Sequence, residues 1–300
     1  MWTTSNIVED LHSIGLTRGC VVNVKASLKS IGRMENGANT LIDALIEVVG
    51  PEGLIVTDSF IKGYAKNSDK YRKNISNQDS PSYAGALSNS MIDHPDSFRS
   101  HHPIQKFCMI GRDAESIACN HTKDSYAYDI LKIMAEKGGL NLKIGTDEKV
   151  PGVGTTHVAI GIFGIEQYRG ESWVQYLDDS GQINNFKMNW AGACKDAIYQ
   201  LNDEYEKVDG AICAHGTIGN APAKLSDMGE TLKLELELIK KDTVSFLKCG
   251  CSDCITCQLT WVIERKSPFL LALKFIFRGD IRNAARALRV YYFKKHRSIV

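Results

Sequence analysis

Several absences narrow what this 300-residue chain can be. No stretch reaches the roughly 18 consecutive apolar residues that a membrane span requires. The nearest approach, Pro268 to Phe277, is too short and contains Lys274. The opening Met-Trp-Thr-Thr-Ser-Asn-Ile-Val-Glu-Asp-Leu has no basic start followed by an apolar run, so no secretory signal is read there and the cytosol is the expected compartment. There is no internal repeat and no low-complexity tract. Net charge is nearly absent as well, with 36 Lys and Arg against 35 Asp and Glu.

What is present is a globular composition, 43% hydrophobic and 24% charged, enough to bury one large core or two smaller ones. In a cytosolic chain the nine cysteines are expected as reduced thiols or metal ligands, not disulfides. The balanced charge conceals an asymmetry. From Arg265 to Val300 there are ten Lys and Arg against the single acid Asp280, whereas the rest of the chain carries 26 basic and 34 acidic side chains. The tail is therefore a separate electrostatic object.

Gly19-Cys-Val-Val-Asn-Val-Lys reads as a buried strand running into a Ser-containing turn, Ala38 to Val49 as an amphipathic helix, and Gly53-Leu-Ile-Val-Thr-Asp as a second strand. That β-turn-α-β start predicts an α/β layer protein. Polar Lys62 to Pro81 reads as a long surface loop bordering a site, Asp113 to Lys137 as one helix, and Leu140 to Gly145 as a strand. Val150 to His157 is a Gly-rich loop leading into apolar Val158 to Ile165. Trp173 to Leu177 and Gln182 to Trp190 form a hairpin across Asp178-Asp-Ser-Gly. Asp227 to Lys241 is a helix with Leu232, Leu236 and Ile239 on one face. The predicted fold class is α/β, a central mixed sheet flanked by helices with a Cys-rich and helical C-terminal appendage. Residues 1–246 form the α/β domain and 247–300 the appendage.

Ordered blocks sharpen this reading. Asn23-Val-Lys-Ala-Ser-Leu-Lys-Ser-Ile-Gly32, Asn36-Gly-Ala-Asn-Thr-Leu-Ile-Asp-Ala-Leu45 and Val49-Gly-Pro-Glu-Gly-Leu-Ile-Val-Thr57 open the series. Gly85-Ala-Leu, Arg99-Ser-His-His-Pro103, Ile110-Gly111, Gly154-Thr-Thr-His157 and Gly216-Thr-Ile-Gly-Asn-Ala-Pro222 follow. Over roughly residues 15–245 the chain resembles the aminoglycoside 3-N-acetyltransferase family, enzymes that move an acetyl group from acetyl-CoA to an amine on a sugar. The resemblance implies His157 as the catalytic imidazole, and an ordinary imidazole pKa of about 6.5 suits a general base. It also implies that the turn Ser27, Leu28, Lys29 and Ser30 borders CoA, where backbone N–H groups could cradle a phosphate or the thioester carbonyl. Arg99, Ser100 and His102 are further cofactor candidates, with Arg99 offering a fork for phosphate and the backbone of His102 held extended before Pro103.

Two departures bear on the acceptor. The family's Glu three residues after the catalytic His is replaced by Ile160, and its acid after the Gly-x-Leu block by Ser88-Asn89. Asp58 and Glu166 are the substitutes considered, with Asn89 retained as a substrate-side position. An aminoglycoside is a polycation, so missing acids favour an acceptor with anionic character, such as a nucleotide-linked amino sugar of surface polysaccharide synthesis.

Cys249-Gly-Cys-Ser-Asp-Cys-Ile-Thr-Cys257 packs four thiols into nine residues. Two overlapping Cys-x-x-Cys copies, with Cys249 as a fourth ligand, predict Cys249, Cys251, Cys254 and Cys257 around zinc or an iron–sulfur cluster. Cys20, Cys108, Cys119, Cys194 and Cys213 read as core residues. In the tail, Ser267-Pro268 starts a helix, and Asp280 to Tyr292 places Ile281, Ala284, Ala285, Leu288 and Tyr292 on one face, away from Arg282, Arg286 and Arg289. Such a basic amphipathic helix docks either on a protein partner or peripherally at the inner membrane surface; no nucleic acid partner is expected. The functional expectation is an acetyl-CoA-dependent N-acyltransferase acting on a small-molecule amino sugar. Its alternatives are an inactive relative serving as a metal-containing scaffold subunit, or a redox protein using the cysteine cluster.

Overall fold

The computed structural model describes residues 1–66, 68–146, 153–165, 172–178, 180–188, 194–251, 254, 256–257 and 267–297. In chain order its first half runs α1 (Thr4–Ser13), β1 (Val21–Ala26), α2 (Leu28–Ile31), α3 (Ala38–Val49), β2 (Leu54–Asp58), α4 (Asp69–Lys73), β3 (Ile75–Ser76), α5 (Ala86–Ile92), β4 (Phe98–Arg99), β5 (Phe107–Gly111), α6 (Ala114–Asn120) and α7 (Asp129–Glu136). The second half runs β6 (Leu140–Ile144), α8 (Thr155–Ile162), β7 (Trp173–Leu177), β8 (Ile183–Lys187), α9 (Lys195–Tyr199), α10 (Leu201–Tyr205), β9 (Ile212–Ile218), β10 (Ala221–Asp227), α11 (Met228–Lys241), α12 (Thr243–Leu247), α13 (Pro268–Phe277) and α14 (Ile281–Arg297).

Apolar β1 and β2 are the kind of near-continuous hydrophobic runs that only a doubly covered sheet can use. They lie in the middle of a seven-stranded sheet of order β4-β5-β2-β1-β6-β10-β9. β1 pairs in parallel with β2 (Val22 opposite Ile55) and with β6 (Val24 opposite Leu142), while β5, β10, β9 and β4 add antiparallel edges. Strand alternation divides the core between two faces. Val22 and Val24 face α1, α3 and α5 through Ile7, Leu11, Leu41, Leu45 and Met91. Val21, Leu54 and Val56 face α6, α7 and α8 through Ala118, Ile130, Leu131, Met134 and Val158. A third cluster joins α8, α10, α11 and α12 through Ala159, Ile160, Leu201, Tyr205, Ile239 and Leu247. The mixed α/β sheet flanked by helices, with a Cys-rich and helical C-terminal region, is the architecture expected from sequence.

Local expectations fared unevenly. The hairpin forms as β7 and β8, paired from Trp173 opposite Lys187 to Leu177 opposite Ile183. The supposed loop at 62–81 instead holds α4 and β3. Ser68 accepts the Tyr71 N–H as an N-cap, and β3 runs parallel to β7 with Ile75 opposite Gln175. The single helix expected over Asp113 to Lys137 is split into α6 and α7. The break follows from tertiary contacts: the His121 ring is engaged by Ser100 Oγ at 3.1 Å and the Tyr126 carbonyl at 3.2 Å, and Thr122 N–H donates to Ser125 Oγ. Thr155 to Ile162, expected as the end of a loop and the start of an apolar segment, is helical as α8, and residues 150–152 of that loop lie outside the described ones.

In the tail, α13 and α14 share a small core of Leu271, Ala272, Phe275, Ala284 and Ala287. Of the face predicted on α14, Ala284 alone among the described side chains is buried. Ile281, Ala285, Leu288 and Tyr292 are exposed, because the close helix pairing is made by the small side chains of Ala284 and Ala287. Among the described residues no helix is long and apolar enough to cross a membrane.

Candidate active site

The three parallel strands deliver their carboxyl ends to one edge of the sheet, with β2 and β6 on opposite sides of β1. In an open α/β sheet such a reversal of strand order opens a crevice that can take a ligand. Ser27 follows β1, Asp58 ends β2, and Gly145-Thr146 follows β6. The Ser27 N–H donates to the Ile144 carbonyl at 2.8 Å and Ser30 Oγ to Ser27 Oγ at 2.8 Å, so the turn and α2 are fastened to the end of β6. Gly145 has φ +61°, and a Cβ there would sit 2.5 Å from that of Ser30. Only glycine allows this approach. The β9–β10 turn closes the other side, with Asn220 N–H on the Ile31 carbonyl at 3.0 Å and Gly145 N–H on the Pro222 carbonyl at 2.8 Å. Two sequence blocks almost 200 residues apart are thereby brought into contact. The N–H groups of Leu28 and Lys29 belong to a first helical turn and have no intrahelical acceptor.

His157 stands on α8 with its ring half-buried and stacked flat on Tyr128, centroids 4.3 Å apart at 10°. Tyr126 Oη donates to the His157 carbonyl at 2.8 Å. One turn earlier, Gly154 takes φ +87°, and a Cβ there would lie 3.7 Å from Lys25 Nζ. That ammonium pairs with Asp58 Oδ2 at 3.0 Å, and buried Asp58 Oδ1 has no hydrogen-bond partner among the described residues. The base candidate, a cation and a carboxylate thus line successive positions along one edge. Lys25 also belongs to a row: it lies opposite Lys143 on β6, which lies opposite Lys224 on β10. Lys143 is buried, and Lys224 Nζ reaches Glu206 at 3.7 Å.

Other predicted residues turn out to be scaffolding. Arg99 is buried, and its guanidinium donates to the carbonyls of Gln78 and Ser80, both at 2.6 Å, and of Ser59 at 2.9 Å. These bonds pin the chain just past Asp58 and leave the fork turned inward, not toward a phosphate. Ser100 Oγ accepts from Phe107 N–H, and His102 Nδ1 accepts from the N–H groups of Ile104 and Gln105. The His102 ring stacks on His121 at 5.1 Å and meets the edge of Phe186. Burial, with His121 and Lys106 nearby, lowers the His102 pKa to about 2; burial first, partly offset by the Tyr126 carbonyl, lowers that of His121 to about 4. Asn89 closes the 82–89 loop, accepting from Ser82 N–H and donating to the carbonyls of Ser82 and Gly85. Glu166 lies outside the described residues.

The sequence reading missed a second buried network. Thr156 Oγ1 and Tyr205 Oη both donate to Glu235 Oε1, at 2.6 and 2.5 Å. Burial raises the Glu235 pKa to about 7, against the lowering effect of these donors. Ile160, where the family's carboxylate is expected, packs in the α8–α10–α11 core. The only signal for Glu235 was an acid on the apolar side of an otherwise ordinary amphipathic helix, and a single buried polar residue does not stand out in such a pattern. The cysteines also rearrange. Cys194, expected in a core, joins Cys249, Cys254 and Cys257, whose Sγ atoms all lie within 4.8 Å of one another, whereas Cys251 is exposed outside the group. Cys119 and Cys213, likewise expected in the core, are exposed.

Parallel strand ends that carry the Ser27 turn and Asp58, with a half-buried imidazole on α8, fit the acyltransferase class. A family model for aminoglycoside 3-N-acetyltransferase matches residues 24–240, and the chain belongs to that family, whose members are N-acetyltransferases. Aminoglycoside N(3)-acetyltransferase III of Acinetobacter baumannii is 27% identical over 254 residues, covering 75% of this chain and 82% of the relative. The SPbeta prophage-derived aminoglycoside N(3')-acetyltransferase-like protein YokD of Bacillus subtilis (strain 168) is 49% identical over 57 residues, 19% of this chain and 21% of that protein. The structure of AAC-IIIb in binary complex with CoASH superposes with a TM-score of 0.69 at 23% identity, over 80% of this chain and 97% of that one. AAC-VIa bound to sisomicin gives 0.68 at 25% identity, over 80% and 98%.

Proposed function

We propose that this chain uses acetyl-CoA to acetylate an amine on an amino sugar, with His157 as general base. The carrying observation is the placement of His157, half-buried on α8 and stacked on Tyr128, on the helix whose N-cap Gly154 approaches the Lys25 ammonium of the Lys25–Asp58 pair. An imidazole so placed takes the proton of the acceptor nitrogen as that nitrogen attacks the thioester carbonyl. The C–N bond forms, the C–S bond breaks, and CoA leaves with its sulfur protonated. The turn Ser27 to Ser30 borders the CoA chain, since it lies at the carboxyl ends of β1 and β6 and the Leu28 and Lys29 N–H groups open its helical turn. Asp58 Oδ1, buried and without a partner among the described residues, supplies the acceptor ammonium with a fixed carboxylate oxygen that the Asn89 and Ile160 positions do not. The cysteine cluster lies outside this chemistry, because thioester aminolysis moves no electron.

The relatives acetylate aminoglycosides by name, and an aminoglycoside is the first acceptor class to test. A second class, the nucleotide-linked amino sugars, is suggested by the absence of acids at the Asn89 and Ile160 positions. A thiol-release assay with acetyl-CoA over aminoglycosides, free amino sugars and nucleotide-linked amino sugars tests the proposal. Acceptor-dependent CoA release is the expected result. Absence of CoA binding by calorimetry at millimolar concentration overturns it.

A further inference from the structure

The structure assigns a closed zinc site to Cys194, Cys249, Cys254 and Cys257. The four Sγ atoms come from two chain segments more than fifty residues apart and meet within 4.8 Å of one another. Cys194 Sγ lies 3.6 Å from Cys254 Sγ, and Cys257 Sγ 3.5 Å from Cys249 Sγ. A disulfide brings its sulfurs to about 2.05 Å, so neither pair is bonded. A tetrahedron with zinc–sulfur bonds of about 2.3 Å has sulfurs about 3.8 Å apart, which is the spacing approached here. The same closeness argues against a cluster, since iron and sulfide atoms would hold at least some of the thiolates farther apart.

The surroundings point the same way. Cys194, Cys249 and Cys257 are buried, and among the described residues this small cluster adds only the apolar side chain of Ala197. Three buried thiols and one methyl group bury little apolar surface with which to hold Cys194 against Cys249 and Cys257. A metal supplies what the core lacks. The Cys249 N–H donates to Cys257 Sγ at 3.3 Å, and the Cys254 N–H closes a turn on the Cys251 carbonyl at 3.2 Å. A main-chain donor on sulfur, as at Cys257, stabilises a thiolate and orients it toward its ion, and the turn holds Cys254 in place. On binding, each thiol loses its proton to solvent and the ion is filled by four protein ligands. With no open position the site is structural. It ties Cys194, which follows the β7–β8 hairpin by a few residues, to the segment that leads into α13 and α14. The Cys251 thiol, which the spacing Cys-x-x-Cys would recruit, is excluded because it faces solvent.

The full chain, purified without chelator, is expected to carry one zinc per molecule by elemental analysis. Cobalt exchanged into the site should show the intense visible bands of a tetrahedral tetrathiolate, with sulfur-to-cobalt charge transfer in the near ultraviolet. Cys194→Ser should weaken zinc binding, in dye competition, by more than the roughly 10–100-fold that loss of a supporting group costs. Cys251→Ser should retain one equivalent and the same cobalt spectrum. Should Cys194→Ser fail to fold, zinc release from the unmodified chain by a thiol reagent gives the ligand count, with four thiols consumed in step with the ion after the exposed Cys119, Cys213 and Cys251 have reacted. Less than about a tenth of an equivalent of any metal overturns the site. Stoichiometric iron with cluster absorbance overturns zinc, and retention of metal by Cys194→Ser with loss by Cys251→Ser overturns the ligand set.

Discussion

The carboxyl edge of the central sheet and the cysteine junction solve the same problem, holding a few polar atoms in fixed places, with opposite means. At the sheet edge, positions are set by a large core on both faces and by hydrogen bonds that consume whole side chains, Arg99 on three carbonyls and Asn89 on three backbone groups. At the junction hardly any core exists, and sulfur atoms converge instead. Residues with chemistry-bearing side chains can therefore be either tools or fasteners, and the distinction is made by what occupies their donors. His157 is half-buried and stacked on Tyr128 near the strand ends, whereas His102, in a block just as suggestive by sequence, is buried, with its Nδ1 on two N–H groups and its ring on His121.

The largest expected effect separates those two histidines. His157→Ala should lower turnover by about two to four orders of magnitude with thermal unfolding unchanged, the usual scale for loss of a general base. His102→Ala should do the reverse, lowering stability by removing a buried ring while turnover per folded molecule changes little. Steady-state kinetics beside thermal melts checks both. Near-normal turnover in His157→Ala would place that residue among the fasteners.

Next in size is Arg99→Ala. The buried Ser59 carbonyl and the part-buried carbonyls of Gln78 and Ser80 would lose a charged donor, and the loss should cost about 2–4 kcal/mol, since hydrogen bonds to charged groups contribute about 1.5–3 kcal/mol each, less where water can replace the donor, and are not additive. Affinity for CoA in the folded fraction should stay within about twofold. A large rise in the CoA Kd at unchanged stability would return Arg99 to phosphate binding.

How much of this was legible in the sequence follows from the same contrast. Buried strands β1, β2 and β6 and the helices α3 and α11 show their apolar pattern locally, and ordered blocks mark the family. The site's identity at His157 came with those blocks. Which side chains are spent internally did not, because that depends on partners distant in sequence: Gln78 and Ser59 for Arg99, Glu235 for Thr156, Cys254 for Cys194. The α6–α7 break was hidden for the same reason, as neither Gly nor Pro marks it and the contacts at His121 decide it. Spacing alone favoured Cys251 because Cys-x-x-Cys is a local rule and burial is not.

The buried carboxyl offers a smaller, pH-dependent test. Glu235 is held at about 7 in the fold against an ordinary value of 4.5, chiefly by burial. The native state therefore binds its proton more tightly than the unfolded chain, and the associated stability, full below pH 4.5, is lost as pH rises through about 7. His121 and His102 act in the opposite sense, their pKa values being depressed from 6.5, so their contribution is full above that value and falls as pH drops through about 4 and then about 2. Glu235→Gln preserves an acceptor for Thr156 and Tyr205 and removes the ionisation. Relative to the unmodified chain it should gain about 2–3 kcal/mol between pH 5 and pH 8, at about 1.4 kcal/mol per unit. Urea unfolding at the two pH values measures it, and parallel stability curves would show that Glu235 does not titrate in this range.

The smallest expected effect on turnover is at the junction itself. Removal of metal with a chelator, or Cys254→Ser, should loosen residues 194–199 and 248–251, because among the described residues their contacts meet at the sulfur atoms. The central sheet keeps the two clusters of buried side chains on its faces, and α12 stays anchored through Phe246 and Leu247 in the third, so amide exchange in β1, β2 and β6 should not change and CoA affinity should stay within about twofold. Loosening should instead be felt downstream, where Phe269, Leu270, Ile276 and Phe277 are already exposed on α13, and aggregation should rise with time. Hydrogen exchange followed by mass spectrometry distinguishes the outcomes. Protection lost only in the two named segments keeps the junction a local fastener. Protection lost across the sheet as well would mean that the thiol cluster supports the catalytic edge, and the contrast between the two regions would fail.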